Sequence, residues 1–129
     1  MKPSDNYFGP HLMLEGYGCD RKKLLDMRRV FKFLNNLPNL IGMHKISTPY
    51  VIDYDGGEKP KDWGFSGMVL IAESHISIHT FPEKNFVSID VYSCKIFSKE
   101  KVVKIFKQYF SPKSVEINLV IRGKKFEKT

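Results

Sequence analysis

The sequence predicts an α+β fold, a two-layer sandwich in which helices cover a mostly antiparallel sheet. Two segments, near residues 20–34 and 98–110, carry apolar residues at three- and four-residue steps, the spacing of an amphipathic helix. Short segments rich in β-branched residues precede, separate and follow them. Because several of these strands follow one another without a helix between them, the sheet is expected to be antiparallel or mixed.

Size and composition predict one globular domain over residues 1–129. The chain has a mass of 15.0 kDa and is 42% hydrophobic, which is enough for one buried core but too little for two. Its apolar runs fall far short of the roughly 20 residues that span a bilayer. We therefore expect a soluble, cytoplasmic protein without a membrane partner, in which Cys19 and Cys94 remain reduced thiols.

The chain is basic, with a formal charge of +7 from 21 Lys and Arg against 14 Asp and Glu. These charges are spread over predicted helix faces and the C-terminus, which favours a solvated surface over a nucleic-acid site. An RNA-binding sheet module stays a remote alternative, because residues 85–92 faintly resemble an RNA-recognition strand. The Lys-Gly-Phe-Gly part of that motif is missing, and Asp90 would repel phosphate.

The first predicted strand covers residues 11–17, which follow a proline and are closed by the turn Gly-Cys-Asp at 18–20. Asp20 then caps a helix whose apolar positions are Leu24, Leu25, Met27, Val30, Phe31 and Leu34. We expect this helix to stop at Asn35, Asn36 and Pro38, because proline lacks the N–H that a helix interior uses.

Strands dominate the middle of the chain. Residues 44–54 are rich in strand formers, and residues 55–62 form a polar loop of the kind that often carries function. Three further strands are predicted at 67–72, 76–81 and 87–94.

The chain is expected to end with a helix and a strand. The helix begins at a Ser98 cap and stops at Ser111 and Pro112. In the last strand, apolar residues alternate at 115, 117, 119 and 121, which predicts a buried face.

The segment IAESHISIHT, residues 71–80, places a carboxylate, a hydroxyl and two imidazoles directly after a buried strand. Zinc binding by His75 and His79 is excluded, because four residues of strand separate them by roughly 13 Å while a zinc ligand lies about 2 Å from the metal. We therefore predict no metal. A serine hydrolase is disfavoured, because Ser74 does not lie in a Gly-x-Ser-x-Gly turn.

A third reading is that Ser74 attacks its own backbone. Its hydroxyl lies close enough to the carbonyl of Glu73 to convert the amide to an ester, and elimination would then leave a pyruvoyl group, a carbonyl electron sink. The residue types alone permit this chemistry without requiring it. An ordinary strand serine and a hydrogen-bonded His79 remain open on the same residues.

Two segments, residues 67–83 and 89–94, resemble the pyruvoyl-dependent S-adenosylmethionine decarboxylases of the short prokaryotic type. The resemblance combines Glu-Ser-His, a histidine five residues beyond the serine, a Pro-Glu pair, and a cysteine twenty beyond the serine. Ser66 lies eight residues before Ser74. Residues 11–20 also resemble the N-terminal strand and turn of that family.

The resemblance implies cleavage between Glu73 and Ser74, giving a β chain of residues 1–73 and an α chain of residues 74–129. The cofactor is then a pyruvoyl group derived from Ser74, with which the substrate amine condenses. Ser66 and His79 match the residues that assist processing, with His79 as the base. Cys94 matches the general acid that returns a proton after carbon dioxide leaves.

The resemblance also implies how S-adenosylmethionine, the expected substrate, is held. Phe81 falls where the family usually has tryptophan stacked on adenine, and Glu83 matches a carboxylate that binds the ribose hydroxyls. Glu15 matches an acidic residue near the site. Because so short a chain leaves one sheet face open, we expect a homodimer of αβ units with site residues from both subunits.

Two departures from the family pattern concern substrate recognition. Pro60 stands where the family commonly has the second aromatic of the adenine clamp, and Trp63 or Tyr54 could take its place. Lys95 stands where glycine often follows the cysteine. Related pyruvoyl enzymes decarboxylate arginine or ornithine, so these amino acids remain the alternative substrates.

Overall fold

The computed structural model of the protein describes residues 6–127. Within these residues six strands form one sheet, and three helices lie on one side of it. The strands are β1 Gly9–Tyr17, β2 Tyr50–Tyr54, β3 Gly64–Ile71, β4 Ser74–Phe81, β5 Phe86–Ser93 and β6 Ser114–Arg122. The helices are α1 Arg21–Leu24, α2 Met27–Leu40 and α3 Lys99–Phe110.

The strand order across the sheet is β2-β3-β4-β5-β1-β6, and every neighbouring pair is antiparallel. Successive residues of each strand therefore point to opposite faces of the sheet. One face packs against the helices and the other face is open. The predicted two-layer α+β sandwich with an antiparallel sheet is confirmed.

The helix N-termini follow from local capping. The side chains of Asp20, Asp26 and Ser98 each accept a hydrogen bond from a backbone N–H in the first turn of the helix that follows. The caps at Asp20 and Ser98 were predicted. The cap at Asp26 was not, and it splits the helix expected from Asp20 into α1 and α2.

The predicted stop of the first long helix at residues 35–38 is wrong. Helix α2 continues through Pro38 to Leu40. Proline removes only one hydrogen bond, close to the helix end, and its ring is buried. The backbone N–H groups of Ile41 and Met43 then bond to the carbonyl of Pro38, which closes the helix.

The core lies between the helices and the central strands. Helix α2 packs over β3 and β4, and α3 packs near β1. Fully buried residues from both layers include Leu12, Leu14, Phe33, Leu34, Leu37, Ile76, Ile78, Val91, Phe106 and Phe110. No helix among residues 6–127 has the length and apolar character needed to cross a membrane.

Two strand predictions are wrong. Residues 44–49 do not form a strand; β2 begins at Tyr50, and Lys45 makes only an isolated bridge to Ile71. The apolar side of β6 is not a buried face, because Ile117 and Leu119 are 44% and 38% exposed. The helices cover the middle of the sheet, whereas β6 is an edge strand beyond them.

Strand β4 begins at Ser74, two residues earlier than predicted. The connection from β3 is therefore the two-residue hairpin turn Ala72–Glu73. As a result, the bond between Glu73 and Ser74 joins a tight turn to a central strand, at one end of the sheet.

We expect Phe33→Ala to lower the free energy of unfolding by about 3 to 5 kcal/mol, because it leaves a cavity in the core. The Phe33 ring is fully buried and lies 5.3 Å from both the Tyr109 and Phe110 rings, centroid to centroid. Chemical denaturation measures the change. The control, Phe126→Ala, removes a ring that is 41% exposed and should cost about 1 kcal/mol or less. Equal losses in the two variants would contradict this core.

Candidate active site

The open face of the sheet carries polar side chains in a row across four strands. Strand register places Ser66 beside His79, His79 beside Ser88, and Ser88 beside Glu15. Three of the residues predicted from the sequence, Ser66, His79 and Glu15, thus share this row. Ser88 was missed, although its alternation with Asp90 along β5 could have assigned it to the open face.

Hydrogen bonds tie the row together. Ser66 Oγ lies 3.0 Å from His79 Nδ1, and Ser88 Oγ donates to Glu15 Oε1 over 3.3 Å. Burial raises the pKa of Glu15 above its usual value of 4.5, the bond from Ser88 opposes the rise, and the charges of Glu116 and Asp90 add to it. The row therefore combines a positioned imidazole with a carboxyl that gives up its proton less readily than usual.

A cavity of about 590 Å³ adjoins this row. Ser66, His79 and Phe81 line it, together with Tyr54 and Glu58 from the β2–β3 region. Its size falls within the usual range for a small-molecule site. Two aromatic side chains, Phe81 and Tyr54, thus border one cavity beside the Ser66–His79 pair.

Trp63 and Glu83 lie beside each other rather than in this cavity lining. Trp63 Nε1 donates to Glu83 Oε1 over 3.4 Å, and Arg21 donates to the same oxygen over 3.1 Å. Of the two aromatics suggested in place of Pro60, it is therefore Tyr54 that lines the cavity.

The Glu73–Ser74 bond lies at the other end of β4. The backbone N–H of Cys94, just beyond β5, donates to the carbonyl oxygen of Glu73 over 2.8 Å. Ser74 has a φ of 155°, in a region that residues other than glycine rarely adopt. The hairpin turn thus holds a polarised carbonyl directly before a serine with an unfavourable backbone conformation.

The Glu73 carboxylate is held by a residue that the sequence did not single out. His44 donates its backbone N–H to Oε1 over 3.1 Å, and its Nδ1 lies 2.8 Å from Oε2. Burial raises the pKa of Glu73, but the side-chain and backbone hydrogen bonds from His44 outweigh it, so the pKa is lowered from its usual value of 4.5. Glu73 is therefore ionised at neutral pH.

The two cysteines differ in their surroundings and form no disulfide with each other. Cys19 is buried, and burial raises the pKa of its thiol to about 11. Cys94 is partly exposed and next to the Glu73 carbonyl. Of the two cysteines, Cys94 is the one whose backbone contacts the β3–β4 turn.

A second polar cluster separates the turn from the cavity row. Asp90 Oδ1 lies 3.3 Å from Nε2 of both His11 and His75, and Ser77 donates to Asp90 Oδ2 over 2.6 Å. Arg122 lies over the Tyr92 ring, 4.1 Å from its centroid. Asp90 and Tyr92 both lie on the open face.

Ser74 and His79 do not meet within one chain. They lie five residues apart on the same strand, which corresponds to about 16 Å at 3.3 Å per residue. Glu73, Ser74 and Cys94 thus form one group, and Ser66, His79 and Glu15 form another. The structure brings the predicted residues together in two groups rather than one.

A cavity on a sheet face, bordered by a hydrogen-bonded serine and histidine and accompanied by a thiol and a strained serine, is typical of an enzyme. We place the chain in that class. Comparison with known proteins shows which family of enzymes this is. The family model described as S-adenosylmethionine decarboxylase matches residues 10–123. The chain therefore belongs to the S-adenosylmethionine decarboxylase family.

Individual relatives agree with this assignment. An S-adenosylmethionine decarboxylase proenzyme of Clostridium botulinum strain Langeland is 33% identical over 119 residues, covering 92% of this chain and 97% of that protein. One from Archaeoglobus fulgidus is 32% identical over 116 residues, covering 89% and 97%. The crystal structure of the adenosylmethionine decarboxylase of Aquifex aeolicus matches with a TM-score of 0.77 at 28% identity, covering 92% of each chain.

Proposed function

We propose that this chain is a self-processing decarboxylase that converts S-adenosylmethionine to its decarboxylated form and carbon dioxide for polyamine biosynthesis. The family and the relatives named as proenzymes support this activity. The geometry of the Glu73–Ser74 turn is the observation that carries the self-processing part. A carbonyl that accepts the Cys94 N–H precedes a serine at a φ of 155°.

Processing begins with the chain's own atoms. Ser74 Oγ adds to the carbonyl carbon of Glu73 while the Cys94 N–H stabilises the negative charge that develops on the oxygen. The C–N bond then breaks, which converts the amide to an ester and frees the amine of residue 74. Relief of the unfavourable backbone at Ser74 favours this step.

A base completes the cleavage. It removes the α-proton of residue 74, and the bond between Cβ and the ester oxygen breaks, releasing Glu73 with a new terminal carboxylate. Water then converts the remaining dehydroalanine to a pyruvoyl group and ammonia. The products are a β chain of residues 1–73 and an α chain of residues 74–129. His79 is the proposed base, because its contact with Ser66 orients the ring and leaves the second nitrogen for proton transfer.

A pyruvoyl carbonyl supplies an electron sink for the loss of carbon dioxide from an α-amino acid. The chain's own residues then bind the substrate and return the proton. The thiol of Cys94, the residue whose backbone N–H contacts the Glu73 carbonyl, is the proposed general acid. Phe81 and Tyr54 are the proposed walls for adenine, since both line the cavity.

Glu83 is the proposed ligand of the ribose hydroxyls. In the structure it pairs with Arg21, and the two side chains are 38% and 51% exposed. An exposed pair of this kind is worth at most about 1 kcal/mol, so a substrate hydroxyl can compete for the carboxylate. Glu15 lies on the same face, and burial is the main cause that raises its pKa. We include it in the proposed site as an acidic residue.

A second copy of the chain is needed to join the two groups. Suppose that two subunits face each other with their open sheet faces and are related by a two-fold axis that runs between the sheets at right angles to β4. The β4 strands of the two subunits then run in opposite directions. The Ser74 end of one chain then faces the His79 end of the other, in both halves of the dimer. We propose that each site takes Ser74 and Cys94 from one subunit and Ser66 and His79 from its partner.

The open face has the character of a surface that another chain covers. The edge strands β2 and β6, and β3 beside β2, expose large apolar side chains on it, namely Tyr50, Ile52, Tyr54, Met68, Leu70 and Val120. They share the face with the Ser66–His79 row and with the Asp90 cluster. Apolar groups on this scale commonly mark an interaction surface.

Because Ser74 and Cys94 have separate proposed roles, we expect a variant that loses decarboxylation but still cleaves itself. Cys94→Ala keeps the backbone N–H that binds the Glu73 carbonyl, so the chain should still cleave, but decarboxylation should fall at least about a hundredfold. Ser74→Ala should neither cleave nor decarboxylate. Gel analysis and release of labelled carbon dioxide measure the two steps. Cys19→Ala, the matched thiol control, should both cleave and decarboxylate. Normal decarboxylation by Cys94→Ala would refute the role of Cys94 as general acid.

A shared site predicts rescue between two inactive chains. Ser74→Ala and His79→Ala chains with different tags should each stay unprocessed alone. When they are co-expressed, the His79→Ala chain should be cleaved, because its Ser74 meets the partner's intact imidazole. Mixed dimers that form without any cleavage would show that His79 does not act on the Ser74 of the partner subunit.

The proposed contact between Glu83 and the ribose predicts that the enzyme prefers S-adenosylmethionine and that a Glu83 variant binds it more weakly. The processed enzyme should release carbon dioxide from S-adenosylmethionine in preference to arginine or ornithine when the three compete. Glu83→Gln should raise the S-adenosylmethionine KM roughly ten- to hundredfold, as loss of a charge-assisted hydrogen bond does. The control Glu100→Gln, on an exposed part of α3, should not. Preferred turnover of arginine or ornithine would overturn the substrate while leaving the pyruvoyl mechanism in place.

A further inference from the structure

His44 lies outside the motifs that mark this family in the sequence, in the loop between α2 and β2. It nevertheless supplies two contacts to the Glu73 carboxylate, one from its backbone N–H and one from Nδ1. Because Glu73 is ionised at neutral pH and a carboxylate only accepts hydrogen bonds, Nδ1 carries the proton in this contact.

The loop that bears His44 is tied to the strand that leads into the cleavage site. The N–H of Ala72 donates to the carbonyl of His44 over 2.7 Å, and the N–H of Ile46 donates to the carbonyl of Leu70 over 3.0 Å. His44 is therefore placed by backbone hydrogen bonds, so its contact with Glu73 starts from a fixed point rather than from a mobile loop.

We propose that His44 is a positioning residue for self-processing, which it serves by holding the Glu73 side chain. The proposal rests on the cleavage chemistry given above. Glu73 is fixed at two places, its carboxylate by His44 and its carbonyl oxygen by the Cys94 N–H. With both held, the carbonyl carbon keeps one orientation toward the hydroxyl of Ser74. Such orientation accelerates an intramolecular attack.

Exposure distinguishes this role from a structural one. The His44 side chain is 73% exposed, whereas the Glu73 side chain is only 11% exposed. Removing the imidazole therefore takes little from the core but leaves a mostly buried carboxylate with half of its contact. We expect the loss to affect the geometry of the turn far more than the stability of the fold.

The test follows the cleavage of newly made chains, in a cell-free translation reaction, for wild type, His44→Ala and His44→Asn. Hydroxylamine splits esters but not amides, so added hydroxylamine reports formation of the ester separately from the later elimination. His44→Ala should form the ester roughly tenfold more slowly. The asparagine amide occupies the place of Nδ1, so His44→Asn should recover most of the rate. Lys45→Ala, in the same loop but without contact to Glu73, is the control and should cleave like wild type.

A double-variant comparison tests the contact itself. If His44 acts through Glu73, then His44→Ala combined with Glu73→Gln should be no slower than the slower single variant. Equal cleavage by His44→Ala and Lys45→Ala would overturn the role of His44 and leave the proposed function intact. If the fold losses in cleavage rate of the two single variants multiply in the double variant, the role of His44 is also overturned. The same holds if a His44→Asn chain that unfolds at the normal temperature does not recover the cleavage rate. No cleavage of the wild-type chain would instead refute the proposed function.

Discussion

The hydrogen bond from the Cys94 N–H to the Glu73 carbonyl connects the two places on which the proposed chemistry depends. It joins the β3–β4 turn to the residue that follows β5, so the bond proposed for cleavage and the cysteine proposed as the general acid share one end of the sheet. The close approach of β1 supports this arrangement: a Cβ on Gly9 would lie 1.8 Å from the carbonyl oxygen of Ser93. The backbone N–H of Cys94 therefore polarises the carbonyl, and the thiol of the same residue is the group proposed for the later proton transfer.

Antiparallel geometry accounts for the separation of the remaining residues. Alternation sends Ser66, His79, Ser88 and Glu15 to the open face as one row, while the turn lies at the far end of β4. A strand cannot fold back on itself, so the imidazole and the serine five residues apart cannot cooperate within one chain. The proposed dimer joins the two halves of the site, and the exposed apolar side chains on the same face provide a surface for the proposed partner.

Local signals explain which parts of the fold were predictable. The caps at Asp20 and Ser98 and the presence of strands β4 and β5 depend on neighbours in sequence, and they were found. The exposed side of β6 was not, because alternation shows which residues share a face but not whether helices reach it. His44 was also out of reach, since its contact with Glu73 spans 29 residues and depends on how one loop pairs with β3. In the site, the resemblance supplied the candidate residues, whose roles stay predictions, and the register showed that they form two groups.

The most direct test of the central claim is an intact-mass spectrum of the purified wild-type protein. Self-processing at the Glu73–Ser74 bond predicts two polypeptides of about 8.5 and 6.5 kDa, in proportion to chain length, with the smaller one blocked to N-terminal sequencing because it begins with a pyruvoyl group. A single polypeptide of 15.0 kDa that stays intact on long incubation would contradict the account.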